Sequence, residues 1–424
     1  MDSTDVLTPV KANESTARAF DGIVCFGGVD WWYHNRGHFD IQMMREFSAR
    51  FPVVYVNSIG MRVPSLKEGT VLLARVARKL RSLQRGLTRI RDNFFVLSPL
   101  LLPGRIGRGV SDPLLSIQIR GAARRAGIGS PLVWAALPTC ADLIPRLAPM
   151  GVVYQRTDRY EEYPGVDAAS ISEFDQRLKK DADLTIYCSS HLLDEEAGQC
   201  RQALFVDHGV DFAAFEKAGK EPFPEPEDMR GIPRPRVGFV GGIDRHTFDV
   251  DLFKRVAGEL SEVRFVLVGS CQLPPGWCAL PNVALLGQIP YEQVAAYMAA
   301  CDVLIMPWNQ NRWIEACNPV KLKEYLAVGR PVVTTPFPEL GRYEGATHIA
   351  ERAESFARAI REALAAPEPP EFLRERVRNE TWTSKADSVL AQLSELGLVF
   401  TRAALDLHGG PRSVVATRTR HADD

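Results

Sequence analysis

Short apolar runs alternate with amphipathic segments along most of this chain. An apolar run bounded by glycine or polar residues predicts a strand buried on both faces, as in a parallel sheet. Apolar residues that recur every three or four positions predict the connecting helices. The order strand, helix, strand therefore predicts a doubly wound α/β protein. The predicted strands are 22–28, 53–57, 94–97, 132–135, 152–154, 184–188, 236–242, 264–268, 283–286, 303–306 and 331–335. The predicted helices are 39–50, 71–91, 114–126, 171–182, 250–260, 291–300, 319–328, 353–365 and 384–396.

A stretch rich in proline and charge, residues 216–235, divides this pattern into two halves. Such composition is typical of a linker. Each half opens with a strand that ends in paired glycines, Gly27–Gly28 and Gly241–Gly242. We therefore predict two Rossmann-like domains that face each other across a cleft. Their expected bounds are 20–220 and 236–380, with a linker at 221–235, a helical segment 381–400 packing back toward the first domain, and disordered ends at 1–19 and 401–424.

The second half contains a helix with its own start and stop signals, in the sequence EACNPVKLKEYLAVGRPVVTT (315–335). Asn318 suits an N-cap, Pro319 suits the first helical position, and Gly329 suits the residue after the helix. A predicted strand follows almost at once, which places the start of this helix at the edge of the sheet.

The start of this helix is a candidate anion site. The backbone N–H groups of Val320 and Lys321 lack partners within the helix, and the positive end of the helix dipole lies behind them. Lys321 and Glu324 are three residues apart and share a face, so they could hold a diphosphate and a ribose together. From these residues alone, an ordinary capped helix with a surface ion pair explains the pattern equally well.

The first half offers candidate residues at the ends of two predicted strands. Gly28, Asp30, Trp31 and His38 follow the first strand, at the edge where open parallel sheets bind ligands. Aromatic rings and a carboxylate suit a sugar acceptor, although tryptophans in such a loop also serve to cover the core. Asp158 follows the strand at 152–154 and is a second candidate.

Residues 71–91 combine an apolar stripe with a face that has basic residues and no acidic ones. Such a basic amphipathic helix is typical of segments that bind anionic membrane surfaces. The alternative is a surface helix whose arginines meet acids elsewhere. Without interleaved aromatic residues, the segment does not favour nucleic acid. The expected membrane contacts are Arg75, Arg78, Lys79, Arg81, Arg85 and Arg89.

Composition limits the remaining classes of function. The 424 residues are 46% hydrophobic and 24% charged with a net charge of −1, as in globular proteins without a global attraction to polyanions. The eight cysteines contain no CxxC pair, which indicates neither a disulfide framework nor a zinc site. We expect no metal and no cofactor. The polar first residues and the lack of an apolar run of roughly twenty residues predict a cytoplasmic protein, peripheral at the inner face of the membrane.

Two stretches carry a resemblance to a known family. PNVALLGQIPYEQVAAYMAACDVLIMPW and NPVKLKEYLAVGRPVVTTPFPEL resemble the donor-binding domain of GT-B glycosyltransferases, of the bacterial cell-surface polysaccharide and teichuronic-acid type. TDRYEEYPG and DHGVDFAAF in the first half also resemble this group. The resemblance spans about residues 20–400. It implies a GT-B fold, a nucleotide-sugar donor in the second domain and an acceptor in the first.

The resemblance also implies residue roles. Glu324 corresponds to the carboxylate that binds the donor ribose and Lys321 to a cation for the donor phosphates, with Asn318, Val320, Gly241, Gly242 and Arg245 as further donor contacts. Many retaining members carry a second glutamate eight positions earlier, where this chain has Ala316, and Glu315 is the candidate substitute. Asp158 matches the base of the xanthan glucuronosyltransferase, an inverting enzyme of this fold. The stereochemistry is therefore open.

The function expected from these observations is transfer of a sugar from a nucleotide-diphosphate sugar to a lipid-linked or polysaccharide acceptor in cell-surface polysaccharide biosynthesis. Two alternatives share the fold: a sugar-nucleotide epimerase, and a non-catalytic partner protein that resembles a glycosyltransferase. The sequence does not identify the sugar or the base.

Overall fold

The computed structural model describes residues 17–33, 37–61, 85–100, 108–220 and 225–401. Within these ranges the chain forms one mostly parallel and one fully parallel sheet, each covered by helices on both faces, as the alternating pattern predicts. A third, two-stranded sheet joins the first and last described strands.

The first domain is built on an eight-stranded sheet with the order β4-β5-β3-β2-β6-β7-β8-β9. All neighbouring strands are parallel except β4 and β5, which form an antiparallel edge. The strands are β2 (Gly22–Phe26), β3 (Val53–Val56), β4 (Leu87–Arg91), β5 (Phe94–Leu97), β6 (Pro131–Ala135), β7 (Gly151–Arg156), β8 (Leu184–Tyr187) and β9 (Ala203–Phe205).

The second domain is built on a six-stranded parallel sheet with the order β12-β11-β10-β13-β14-β15. The strand order reverses at β10, which lies between β11 and β13, and ligands of open sheets bind at the carboxyl ends of strands at such a point. The strands are β10 (Arg236–Val240), β11 (Arg264–Val268), β12 (Val283–Gly287), β13 (Val303–Met306), β14 (Val332–Thr334) and β15 (His348–Ile349).

Twelve α-helices lie in the described part of the chain. Their apolar faces pack on the sheets and form the cores of the two domains. The helices are α1 (Phe39–Ser48), α2 (Arg108–Arg125), α3 (Ala168–Asp181), α4 (Ser190–Glu196), α5 (Phe212–Gly219), α6 (Val250–Glu259), α7 (Tyr291–Ala299), α8 (Arg312–Glu315), α9 (Val320–Val328), α10 (Ala353–Ala365), α11 (Pro370–Glu375) and α12 (Trp382–Glu395).

Two predicted elements differ from the structure. Arg18 and Ala19 fall in the expected disordered end 1–19, but they belong to β1 (Arg18–Phe20), which pairs in parallel with β16 (Leu398–Phe400). The predicted helix 71–91 does not extend through its last residues, because Leu87–Arg91 is a strand that pairs with β5. Gly86 adopts a φ of 52° just before this strand, a left-handed conformation that a helix does not allow. Residues 71–84 lie outside the described ranges.

The chain passes between the domains twice, and the first passage lies earlier than the predicted linker. Phe212 and Phe215 of α5 pack in the core of the second domain, although the expected first domain extended to residue 220. Met229, inside the predicted linker 221–235, is fully buried in the same core. After α11 the chain returns, and α12 packs in the core of the first domain against α1.

The described helices include none that is both long and apolar enough to cross a membrane.

Candidate active site

Helix α9 begins at the carboxyl edge of the second sheet, directly opposite the first domain. It starts at Val320, and Pro319 takes the N-cap position, where no side chain caps the helix. The prediction of Asn318 as the N-cap is wrong: its Nδ2 instead donates to the carbonyl of Cys188 in the first domain, at 2.9 Å. The N–H groups of the first turn are therefore not satisfied by a capping side chain. Gly329 ends the helix in the left-handed conformation, as predicted, with a φ of 79°.

Lys321 places its ammonium group at the glycine turn that follows β10. A Cβ atom on Gly241 would lie 2.3 Å from Lys321 Nζ, and Gly241 has a φ of 157°. A larger residue at position 241 would therefore strain the backbone and displace the lysine ammonium group from this turn. The ammonium group lies 4.8 Å from the ring centroid of Phe239 and 5.4 Å from that of Trp308. These rings hold a cation at the point where the strand order reverses.

Glu324 lies one turn further along the same face of α9. Its side chain is buried, and Oε1 accepts a hydrogen bond of 3.0 Å from the hydroxyl of Tyr291 at the start of α7. Tyr291 in turn packs against Phe215. Glu324 is thus fixed in position by the second domain alone.

Burial shifts the pKa of both groups toward neutrality. Loss of hydration lowers the pKa of Lys321 to about 8, against the opposing effect of the Glu324 and Asp244 carboxylates. Burial raises the pKa of Glu324 to about 7, although the bond from Tyr291 and the charge of Lys321 oppose it. Perturbed groups on one face of a cleft favour a functional site over a surface ion pair.

Asp158 approaches the same helix start from the first domain. It follows β7, and its Oδ1 lies 3.7 Å from Sγ of Cys317, two residues before Pro319. Burial raises its pKa to about 6, while the contact with Cys317 and the charge of Arg156 act in the opposite direction. The structure therefore brings Asp158, Lys321 and Glu324, predicted from separate halves of the sequence, to one part of the cleft.

The loop after Gly242 is held by backbone contacts. Oδ1 of Asp244 accepts from the N–H groups of His246 and Thr247, at 2.8 and 2.9 Å. The side chain of Asn309 donates to the carbonyls of Arg245 and His246. The side chain of Arg245 is exposed, so the predicted donor contact lies at the rim of this loop.

The position expected to hold a second glutamate packs against the first domain. Ala316 is fully buried against Tyr187 and Leu192 of the first domain. Glu315, the candidate substitute, is exposed at the end of α8. The chain at this position thus serves the contact between domains.

The candidate acceptor residues after β2 have mixed surroundings. The N–H of Gly28 donates to Asp40 Oδ2 at 2.7 Å, and Asp30 Oδ1 accepts from the N–H of Trp32. His38 is exposed just before α1. Trp31 is 4% exposed and packs in the core against Tyr55 and Phe94. Its side chain therefore covers the core, which was the alternative interpretation of this tryptophan.

Only two of the six expected membrane contacts lie in the described part of the chain. Arg85 stacks on Trp32, with the guanidinium carbon 4.2 Å from the ring centroid, and Arg89 pairs with Asp92 at 2.5 Å. Arg89 therefore has an acidic partner, contrary to the expected face without acids. Arg75, Arg78, Lys79 and Arg81 lie outside the described ranges.

A cavity of about 660 Å³ lies away from these residues. Its lining includes Arg234, Asp302 and Arg330, which precede β10, β13 and β14. It therefore opens at the amino edge of the second sheet, opposite the edge that carries Lys321. Ligands of open parallel sheets bind at the carboxyl edge, so we do not assign this cavity to the candidate site.

Sequence reasoning missed Tyr291 and the two rings beside Lys321. A tyrosine at a helix start has no sequence signal for a contact with a residue 33 positions away. Phe239 and Trp308 follow from topology, since each lies at the carboxyl end of a strand next to the glycine turn.

Comparison with known proteins agrees with this geometry. Residues 234–366 match the family model described as glycosyl transferases group 1. TuaH of Bacillus subtilis (strain 168), whose name assigns it to teichuronic acid biosynthesis as a glycosyltransferase, is 29% identical over 211 residues. This alignment covers 46% of the chain and 52% of TuaH, so the chain spans about half the length of that relative.

Comparison with solved structures identifies the fold of the chain. Sucrose-phosphate synthase from Thermosynechococcus elongatus superimposes with a TM-score of 0.65 at 16% identity, covering 88% of this chain and 98% of that one. The chain has the GT-B fold. Anabaena Alr3699/HepE, solved with UDP-glucose, has a TM-score of 0.62 at 13% identity over 88% of this chain and 99% of that one. The predicted GT-B fold and the resemblance to glycosyltransferases of the cell surface are confirmed.

Proposed function

We propose that this GT-B chain transfers a sugar from a nucleotide-diphosphate sugar to a lipid-linked or polysaccharide acceptor in cell-surface polysaccharide biosynthesis. One observation carries the proposal: Lys321 and Glu324 share a helix face at the reversal point of the second sheet, and Asp158 of the first domain faces the start of that helix. A non-catalytic binding protein has no need of a carboxylate on the opposite domain, whereas an epimerase also uses acid–base groups and is distinguished by its products.

The donor diphosphate would bind at the start of α9. Lys321 and the backbone N–H groups of Val320 and Lys321 would stabilise the negative charge that develops on the leaving diphosphate, without a metal. Glu324, held by Tyr291, would accept hydrogen bonds from the ribose hydroxyls. Both groups belong to the second domain, so donor binding does not require the first.

Asp158 would act as the general base. It would take the proton from the acceptor hydroxyl while that oxygen attacks the anomeric carbon, and the bond to the diphosphate would break with the electron pair leaving on the phosphate oxygen. A single displacement of this kind inverts the anomeric centre. The anomeric configuration of the product, determined by NMR, tests this single displacement directly. Retention of configuration would exclude Asp158 as the general base.

Donor binding is tested with Lys321→Met. We expect the affinity for nucleoside diphosphate to fall by about ten- to a hundredfold, as for the loss of a charge-assisted hydrogen bond. Affinity for the corresponding nucleoside should change little. Lys254→Met, at an exposed lysine of the same domain, is the matched control. Equal affinities for wild type and Lys321→Met, measured by calorimetry, would refute the donor site.

Catalysis is tested with Asp158→Asn, an isosteric change. We expect the rate of transfer to fall by about a hundredfold or more, with nucleotide affinity unchanged. Released nucleoside diphosphate, assayed over a panel of nucleotide sugars, separates transfer from epimerisation, which releases none. A wild-type enzyme that forms only an epimerised nucleotide sugar would favour the epimerase instead.

We also propose that the chain acts at the inner face of the membrane, where a lipid-linked acceptor lies. The support is the charge of residues 75–81, in which four basic residues occur without an acid. Replacing Arg75, Arg78, Lys79 and Arg81 with glutamine should reduce sedimentation with anionic vesicles. Four exposed basic residues of the second domain, replaced in the same way, are the control. Undiminished sedimentation of the first variant would count against membrane attachment.

A further inference from the structure

Helix α9 carries a second lysine that the donor site does not use. Lys323 lies about 200° around the helix from Lys321, since each residue of a helix advances by about 100°. Its side chain is fully buried, and its ammonium group donates three hydrogen bonds. The acceptors are Asp207 Oδ2 at 2.7 Å, the carbonyl of His208 at 2.5 Å and Glu380 Oε2 at 2.8 Å.

These three acceptors belong to the two passages of the chain between the domains. Asp207 and His208 lie on the first passage, between β9 and α5, and Glu380 lies on the second, just before α12. The passages run side by side: the N–H of Val210 donates to the carbonyl of Glu380 at 2.8 Å, and Val210 forms a parallel bridge with Thr381. Lys323 thus bonds to both passages at once.

Other charged groups surround Lys323. Lys385 of α12 forms an ion pair with Asp207 Oδ1 at 2.6 Å and another with Glu380, and the guanidinium of Arg342 lies 3.5 Å from Asp207 Oδ2. The buried part of the cluster therefore combines two carboxylates and two ammonium groups from the first passage, the second passage, α9 and α12, with Arg342 at its edge. Removing one partner of a buried ion pair leaves a charge uncompensated, which destabilises the arrangement of the elements that supply it.

We propose that Lys323 is a positioning residue for sugar transfer, which fixes the donor-binding helix to both interdomain passages and so sets Lys321 and Glu324 at the working distance from Asp158. Asn318 and Cys317, which contact the first domain just before this helix, would hold its start. The kinetic part of this inference rests on the proposed function, and the structural part does not.

The test uses Lys323→Met in the full-length protein. A misplacement of about 1 Å between reacting groups costs about a hundredfold in rate, so we expect kcat for transfer to fall by at least about tenfold. The affinity for nucleoside diphosphate should stay within about threefold, because Lys321, Glu324 and Tyr291 all lie in the second domain. A lysine that only stabilises the fold would leave kcat of the folded enzyme unchanged.

Arg374→Met is the matched control. Arg374 is buried and holds the other end of α9, donating to the carbonyls of Ala327 and Val328, but all its partners lie in the second domain. We expect this variant to lower the melting temperature and to keep kcat within about threefold. An equal loss of kcat in both variants would overturn the proposal.

Hydrogen exchange supplies a readout that needs no activity. In Lys323→Met the amide of Val210 should exchange faster, while amides of β10 and β13 should not change. If wild type proves to lack transferase activity, faster exchange at Val210 still supports the proposal that Lys323 fixes α9 to both passages. Unchanged exchange refutes it. Should Lys323→Met fail to fold, Glu380→Ala removes one of the three bonds at a residue that is partly exposed. An unchanged kcat and unchanged exchange in that variant would refute the proposal.

Discussion

At the scale of single residues, burial decides the chemistry of the cleft. Asp158, Glu324 and Lys321 belong to types that titrate far from neutrality in water. Burial moves their pKa values to about 6, about 7 and about 8. A base is best placed when its pKa lies just below the working pH, and a phosphate-binding lysine must keep its proton.

The rate of transfer should therefore follow a bell-shaped dependence on pH. It should rise as pH increases through about 6, where Asp158 loses its proton, and fall above about 8, where Lys321 loses its charge. Steady-state rates between pH 5 and 9.5 test this. The terminal phosphate of a nucleoside diphosphate titrates at about pH 6 and Glu324 at about pH 7, so the limb is assigned from kcat at saturating donor. In Asp158→Asn any residual kcat should lack the limb near pH 6, and its persistence would assign the limb to another group.

Residue types indicated some of these roles and misled about others. Lys321 and Glu324 were predictable because helix spacing alone places them on one face beside the carboxyl edge of a sheet. Asn318 was not, because N-cap preference is a local tendency, and here the contact with the Cys188 carbonyl in the other domain prevails. The burial of Trp31 depends on its contact with Phe94, which is 63 residues away in sequence. No local sequence pattern relates the two residues.

At the scale of elements, α9 depends on the glycine that ends it. Gly329 has a φ of 79°, and a Cβ atom there would lie 2.8 Å from Cβ of Pro370. Gly329→Ala should therefore lower the free energy of unfolding by about 1–2 kcal/mol or more. Gly258→Ala, in the last turn of α6 with no atom within 4 Å of the added Cβ, should instead raise it by up to about 1 kcal/mol. Urea denaturation measures both. Similar effects of the two changes would contradict the assigned strain at Gly329.

Most elements were predictable, with bounds within a few residues, because buried parallel strands are continuous apolar runs. The edge strand β4 was not. Its sequence LTRIR continues the helical spacing of the preceding residues, yet it pairs with β5, so the partner strand determines its structure. Gly86 was the one local sign of the change, since its positive φ interrupts a helix at that point.

At the scale of the whole molecule, the two interdomain passages lie in direct contact. A Cβ atom on Gly209 would lie 2.5 Å from the backbone nitrogen of Trp382. Gly209→Ala must push the passages apart, which we expect to cost about 1–3 kcal/mol in unfolding free energy. Gly198→Ala, with open space around the added atom, is the control. Equal urea midpoints for the two variants would show that the passages separate without cost.

The presence of two domains was predictable from the sequence, but the position of the connections between them was not. Composition pointed to residues 216–235 because proline and charge are typical of linkers. The passage at Asp207–Val210 has no such composition, and it is bonded to Lys323, which is more than a hundred residues away in sequence. Tertiary contacts of this kind leave no local pattern in the chain.

The return of the last helix has a consequence for how the protein is made. Trp382, Val389 and Leu393 of α12 complete the core of the first domain, and β16 pairs with β1 at its edge. A ribosome releases these residues only after the whole second domain. The first domain therefore remains incomplete until the second domain has been synthesised. Until then the surface that α12 covers is exposed to water. The order of synthesis and the order of completion are opposite for the two domains.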